Sequence, residues 1–202
     1  TKAEKLVIDA EREFFDNATS GDMDSGSLKL AWDCLNILPP TTEIKKEKDL
    51  IEATHIIITE FNIQHQPGIP LMPIQVRQAP DRLEFVSKLL HTKRDVYNNH
   101  QKVLELVRRL GYAEDDVLAK VKTLSMLAST ALVEEDYMQS YRLCQLAVEM
   151  AQNKPTQRPK AYNDQVDQSA WQICFNLGKL NTFEDVNRRL DVLSMAMSLS
   201  PV

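Results

Sequence analysis

The 202-residue sequence is poor in the residues that build β-sheets and phosphate-binding loops. It contains only five glycines, and aromatic residues make up 6% of the chain. Valine and isoleucine are scattered instead of alternating with polar residues, which argues against an all-β fold. Gly21 and Gly26 lack the Lys-Ser/Thr ending of a nucleotide-binding P-loop. These shortages disfavour a β-rich fold and a P-loop nucleotidase.

Cysteine and histidine are also scarce. The three cysteines, Cys34, Cys144 and Cys174, lie far apart in apolar segments. We therefore expect buried, reduced thiols and no disulfide framework. The four histidines form neither an H-E-x-x-H pair nor a cysteine–histidine cluster. The sequence predicts no metal site, no cofactor site and no catalytic residue, so we do not expect an enzyme.

The sequence has neither an excess of basic charge nor a long apolar run. Its formal net charge is −5, and lysine and arginine occur mainly as pairs with acids nearby. Non-specific nucleic-acid binding requires clustered lysine and arginine that displace counterions. A membrane-spanning helix requires about 20 consecutive apolar residues. We therefore expect neither direct nucleic-acid binding nor a membrane span.

Amphipathic helical periodicity is the main feature that is present, and it is clearest in residues 113–151. Val121, Leu124 and Ala128 recur at spacings of three and four, which places them on one helical face. Three acidic residues at 134–136 interrupt this pattern, and a second helix restarts at Tyr137. Helices that are apolar over more than half of their circumference have more than one neighbour. Such a pair must stack on further pairs, as it does in α-solenoids.

The same periodicity along the chain predicts about nine helices and no strand. Residues 62–80 contain four prolines, which bar a continuous helix there. The predicted fold is all-α, an irregular α-solenoid of stacked antiparallel helix pairs. Because the chain begins inside a helical pattern, we expect residues 1–202 to be one segment of a much larger protein.

Two helices carry a clear apolar stripe that we expect to face the core. In the third predicted helix, residues 43–61, the stripe consists of Leu50, Ala53, Ile57 and Phe61. In the last predicted helix, it consists of Val186, Leu190, Leu193 and Met197. Residues at these spacings share one side of an α-helix, and the apolar side normally packs inward.

Without a catalytic site, the sequence favours protein–protein interaction. Candidate contact residues are the polar stripe Arg142, Gln145 and Glu149 in the second helix of the hairpin. Ordinary solvent exposure is the simpler interpretation of this stripe. Arg77 and Arg82, at the end of the proline-rich segment, either contact a partner or cap and cover helix ends, and the second role is favoured.

Several segments resemble the neuroblastoma-amplified sequence (NBAS) family. The run L-M-P-I-Q-V-R at residues 71–77, followed by P-D-R-L-E-F-V at 80–86, looks like one segment of that family. The run at 47–53 is similar to the acidic helix that precedes this segment. The runs R-L-C-Q at 142–145 and A-W-Q-I-C at 170–174 match a helical pair followed by a Trp-bearing helix. The resemblance begins near Phe14 and lies within the family's secretory-pathway α-solenoid domain.

This resemblance implies a large cytoplasmic protein of stacked helices, peripheral to the membrane of the endoplasmic reticulum (ER). It implies a Dsl-type tethering complex that captures Golgi-derived vesicles in retrograde transport, with tether subunits and ER SNAREs as partners. The family is also connected with nonsense-mediated mRNA decay. We therefore expect a non-enzymatic scaffold subunit that needs no cofactor and that is monomeric as an isolated segment.

Three alternatives remain open from the sequence. A kinetochore Rod-type scaffold resembles the same family in its solenoid and shares a tether-like partner. An RNA-associated helical scaffold is possible in view of the decay connection, although a chain of charge −5 without a basic stripe disfavours direct RNA contact. An unrecognised hydrolase with residues assembled from distant positions is the least favoured.

Overall fold

The computed structural model describes residues 1–155 and 157–200, in which the apolar periodicity corresponds to ten α-helices. They are α1 (Lys2–Asp16), α2 (Gly26–Leu35), α3 (Thr42–His55), α4 (Pro73–Gln78), α5 (Glu84–Thr92), α6 (His100–Arg109), α7 (Val117–Val133), α8 (Tyr137–Gln152), α9 (Lys160–Gly178) and α10 (Val186–Leu199). A π-helical turn, Ile56–Glu60, continues α3, and a 3₁₀ turn, Arg94–Asn98, precedes α6. The predicted all-α fold of packed helix pairs is confirmed.

Short polar side chains fix where half of these helices begin. At the starts of α1, α3, α7, α8 and α10, the residue before the helix accepts a hydrogen bond from the backbone N–H three residues later. These capping residues are Thr1, Thr41, Asp116, Asp136 and Asp185. Each bond satisfies a backbone donor that has no partner within its helix. None of the helices in the described residues combines the length and apolar character needed to cross a lipid bilayer.

The expectation that no strand occurs is wrong within the proline-rich segment. β1 (Gln64–Gln66) and β2 (Ile69–Pro70) pair antiparallel in a short hairpin, and Gly68 in its turn has a φ of +80°. Pro73 then begins the short helix α4, where a missing N–H breaks no helical bond. The prolines do prevent one continuous helix, but the hairpin and α4 pair backbone groups locally. Helix α4 is the one that the sequence periodicity missed.

The described residues form two units, and the first comprises Thr1–Thr92 with Arg108–Tyr112. In this unit α1 packs on α2, and α4 contacts both α1 and α3. Its largest fully buried side chains include Phe15, Ile51 and Phe85. The predicted inner stripe of the third helix is confirmed, because all four of its residues are buried: Leu50, Ala53, Ile57 and Phe61.

The second unit comprises Lys93–Val107 and the described residues from Ala113 onward. Helix α7 packs against both α8 and α9, and α9 packs against α10. The predicted hairpin of α7 and α8 is confirmed, with Leu124, Leu127 and Leu143 fully buried. The neighbours on two sides of α7 explain why this helix is apolar over so much of its surface.

The predicted inner face of the last helix is wrong. Val186, Leu190 and Met197 are 57%, 60% and 78% exposed, and Leu193 is only half-buried. The buried residues of α10 are instead Val192, Ala196 and Leu199. This helix has apolar residues on two faces, and packing against α9 selects one of them. Periodicity identifies apolar faces but does not rank two of them in the same helix.

Candidate functional site

An open groove with a volume of about 590 Å³ lies along α8 in the second unit. Two lining residues, Asn98 and His100, come from the 3₁₀ turn and the start of α6. The others come from α8: Gln139, Arg142, Leu143, Gln145, Leu146 and Glu149. We call this feature the α8 groove. It brings together the three residues of the predicted polar stripe, Arg142, Gln145 and Glu149.

The regular spacing of α8 explains why these side chains line one feature. Positions 139, 142, 146 and 149 are separated by three, four and three residues, so they lie along one helical face. Asp136 fixes the start of the helix by accepting a hydrogen bond of 3.1 Å from the Gln139 N–H. The opposite side of α8 is held in the core by buried residues such as Cys144 and Val148. Leu143 is buried as well and closes the base of the groove.

The two charged side chains of the α8 groove are available for contact. Arg142 and Glu149 are exposed, and neither forms an ion pair or a side-chain hydrogen bond within the described part of the chain. Gln145 is more constrained, because its Nε2 donates to the Tyr141 hydroxyl at 3.1 Å. That hydroxyl donates in turn to Asp191 Oδ2 at 2.5 Å. The groove therefore offers one unpaired cation and one unpaired anion beside a fixed amide.

Arg77 lies in the first unit, at the centre of a cluster of carboxylates. Its Nη2 donates to Glu11 Oε1 at 2.9 Å, and its Nη1 donates to Glu47 Oε2 at 3.3 Å. Its Nε lies 3.1 Å from Asp16 Oδ1, and its guanidinium is 4.2 Å from the centre of the Phe15 ring. All of these contacts lie within one unit, where the arginine links α4 to α1 and α3.

Burial has a large effect on the pKa of Glu11, one of the carboxylic acids around Arg77. Glu11 is fully buried, and burial raises its pKa from the ordinary value of 4.5 to about 7. The positive charge of Arg77 lowers this pKa, and the negative charge of Glu47 raises it, but burial is the largest effect.

In the described residues no group of three histidine, cysteine, aspartate or glutamate side chains is placed to hold a metal ion.

Arg82 bonds to backbone carbonyls in the first unit. Its Nη1 donates to the carbonyl of Leu110 at 2.6 Å, and its Nη2 donates to the carbonyl of Arg77 at 2.8 Å. Burial lowers the pKa of Arg82. Beside it, the Tyr112 hydroxyl donates to Asp81 Oδ1 at 2.8 Å, and burial together with this bond raises the pKa of Tyr112 to about 12. Arg82 therefore covers carbonyls near the ends of α4 and α6.

Sequence reasoning missed the partners of Arg77 and one side of the α8 groove. Glu11 lies 66 positions from Arg77, so no local pattern connects them. Its position four residues before the buried Phe15, on the apolar side of α1, was the available signal. Asn98 and His100 lie about forty residues before the α8 wall, and nothing in the sequence joins them to it.

Comparison with known proteins identifies the family. A model of the family described as "Secretory pathway protein Sec39" matches residues 1–202. The chain is 28% identical over 204 residues to the human NBAS subunit of NRZ tethering complex (Homo sapiens), a match that covers 99% of this chain and 8% of that protein. It is also 28% identical over 143 residues to MAG2-interacting protein 2 of Arabidopsis thaliana, which covers 71% of this chain and 6% of that protein.

The chain thus spans less than a tenth of the length of these curated relatives. The resemblance to the NBAS family is confirmed, because the human protein matches nearly the whole chain. The family match extends over every residue of the chain. Each of the two units contains packed helix pairs. The chain belongs to the Sec39 family of secretory pathway proteins.

Proposed function

We propose that this chain is a helical segment of a tethering-complex subunit and that it acts as a scaffold by binding other proteins. The observation that carries this proposal is the match to the Sec39 family over residues 1–202. The names of the relatives agree with it. The human protein is named as a subunit of a tethering complex, and the plant protein is named for its interaction with another protein.

The side-chain arrangement supports a scaffold more than an enzyme. The α8 groove is an open surface feature lined by six polar residues and two leucines. Among the carboxyl and phenol groups, Glu11 and Tyr112 have the pKa values that are raised most. Glu11 is bonded to Arg77, and Tyr112 is bonded to Asp81, both within the first unit. Perturbed groups at catalytic sites normally face a cleft that admits substrate. Here the Glu11 bond joins α1 to α4, and the Tyr112 bond joins the segment after α6 to the segment before α5.

The proposed transport pathway, cellular location and partners rest on the family resemblance. We propose that the full-length protein acts in Golgi-to-ER retrograde transport, on the cytoplasmic side of the ER, peripheral to its membrane. Its partners would be other tether subunits and ER SNAREs, and residues 1–202 would act in this without a cofactor. As an isolated segment, these residues would be monomeric.

Affinity purification of the full-length protein tests this proposal. We expect it to co-purify with the other subunits of a tethering complex and with ER SNAREs. Internal deletion of residues 1–202 should reduce recovery of at least one of these proteins and slow the return of Golgi cargo to the ER. A full-length protein that recovers no tether subunit would contradict the proposal.

A further inference from the structure

We infer that the α8 groove binds one amphipathic helix of a partner protein, with an acidic side chain of that helix opposite Arg142 and a basic one opposite Glu149. This inference rests on the proposed function, because it assumes that residues 1–202 bind a protein. It adds the surface that is used and the chemistry of the partner that fits it.

The charges of the groove give the partner its first requirement. Arg142 and Glu149 are seven positions apart on α8, which is two helical turns or roughly 10 Å along the axis. Neither forms an ion pair in the described part of the chain, unlike Arg94 of the same unit, which lies 2.7 Å from Glu134. A partner helix that carries an acid and a base seven positions apart would satisfy both charges together. Such complementary pairs set register and partner choice.

Leucines at the base of the groove give the second requirement. Leu146 lies between the two charged positions, four residues after Arg142 and three before Glu149, and it is half-buried. Leu143 beneath it is buried. A helix that lies in a groove anchors through apolar residues at spacings of three, four and seven. The partner helix should therefore carry an apolar side chain between its acid and its base.

The extent and charge of the groove favour a helix over other ligands. The lining runs from Gln139 to Glu149, roughly 15 Å of helix axis, which matches about three turns of a partner helix. One arginine and one glutamate leave the lining without a net basic charge, so a nucleic-acid phosphate chain would meet Glu149 as a repulsive group. A wholly apolar helix would cover Arg142 and Glu149 without pairing them, at a desolvation cost.

Site-specific photocrosslinking in the full-length protein tests the location. A p-benzoylphenylalanine is placed at Gln145, which is exposed on the groove, or at Gln168, which is exposed on α9 and does not line the groove. We expect the probe at position 145 to crosslink to a helix of a tether subunit or SNARE, at a site that mass spectrometry identifies. The matched probe at position 168 should not crosslink to that helix.

A charge exchange tests the chemistry. The double variant R142E/E149R keeps the net charge and should lower the crosslink yield at position 145 at least about fivefold. Exchanging the acid and base of the identified partner helix should restore the yield. The matched exchange K160E/D164K on α9 lies outside the groove and should leave the yield unchanged. Circular dichroism of each purified variant establishes that the helices are intact.

The outcomes separate this inference from the proposed function. If the tethering complex co-purifies with the full-length protein but position 145 yields no crosslink to a helix, the inference is wrong and the proposed function stands. An R142E/E149R variant that crosslinks as well as the parent protein would also overturn it, as would a partner exchange that restores nothing. Restoration only by the matched partner exchange would support it.

Discussion

Glu11 illustrates at the residue scale how burial changes the chemistry of a carboxylic acid. Its Oε1 accepts a hydrogen bond from Arg77, but its Oε2 has no hydrogen-bond partner in the described residues. Because the side chain is fully buried, desolvation outweighs the attraction of the arginine, and the pKa rises to about 7. The charge of this core residue therefore changes close to neutral pH.

Replacing Glu11 by glutamine should remove a pH dependence of stability. The folded-state pKa of about 7 lies above the ordinary value of 4.5, so the folded protein holds this proton more tightly. The free energy of unfolding should thus decrease by about 3 kcal/mol as pH rises from 4.5 through 7. The charged groups that act on Glu11 are Arg77, Glu47 and Arg12, and E11Q leaves all of them in place. Urea unfolding between pH 4.5 and 8 measures the difference between the two proteins.

The difference in stability between the parent protein and E11Q isolates the contribution of Glu11 from that of other groups that titrate over the same pH range. We expect E11Q to have a flatter stability profile than the parent protein and to be the more stable of the two only toward the upper end of the range. Parallel profiles for the two proteins would show that Glu11 titrates in the folded state as it does in the unfolded chain.

Replacing Arg77 by alanine should destabilise the first unit strongly. The substitution leaves Glu11 and Glu47 without the cation that they share and removes the guanidinium that covers Phe15. Loss of one partner from a buried ion pair costs about 3 kcal/mol. Arg188→Ala, which breaks an exposed ion pair with Asp185 in the second unit, is the matched control and should change stability by less than about 1 kcal/mol. Equal midpoints for R77A and R188A in urea would contradict the structural role of Arg77.

At the scale of helices, the contact between α9 and α10 depends on the missing side chain of Gly178. A Cβ at this position would lie 2.5 Å from Leu193 Cγ and 3.2 Å from the carbonyl oxygen of Arg189. Arg189 Nε also donates to the Gly178 carbonyl at 3.2 Å. The close approach of α9 and α10 at this point therefore requires the absence of a side chain at Gly178.

Gly178→Ala should therefore destabilise the second unit, although alanine is the better helix former. Overpacking of a core contact costs about 1–3 kcal/mol, whereas the gain in helix propensity is about 1 kcal/mol. Unfolding in urea measures the net loss. In the background of Leu193→Ala, which removes the clashing atoms, the cost of G178A should fall markedly. Strictly additive effects of the two substitutions would mean that the clash with Leu193 is not the cause.

At the scale of the whole molecule, the three free thiols report on the folding of both units. Cys34 is half-buried in the first unit, and Cys144 and Cys174 are fully buried in the second. A hydrogen bond with Cys174, together with burial, raises the pKa of Cys144 well above its usual value. Burial also raises the pKa of Cys34, to which the nearby charges of Glu11 and Asp33 contribute.

Labelling with a thiol reagent at pH 8 should thus proceed in two stages. Cys34 should react first, and the two buried thiols should react more than about tenfold more slowly, because the thiolate is the reactive form and burial disfavours it. In denaturant all three should react together. The variant C34S is the control, and it should have no rapidly reacting thiol in the native state. Rapid labelling of Cys144 in the native protein would contradict the packing of α8 against α9.

Apolar spacing in the sequence determined by itself that the protein is helical and which residues share each helical face. It predicted the hairpin of α7 and α8 and the buried stripe of α3, because both follow from spacings of three and four within one helix. For the same reason it placed Arg142, Gln145 and Glu149 together on one side of α8. These features depend on residues within one helix or in two consecutive helices.

Only the tertiary structure decided which of these faces meet. It selected Val192 and Ala196 over Leu190 and Met197 on α10, because α9 packs against one of two apolar faces. It also brought Arg77 to Glu11 and completed the α8 groove with residues from another helix. Such contacts join elements that are distant in the chain, and their energies depend on burial and neighbouring charge, which exist only once the helices have packed.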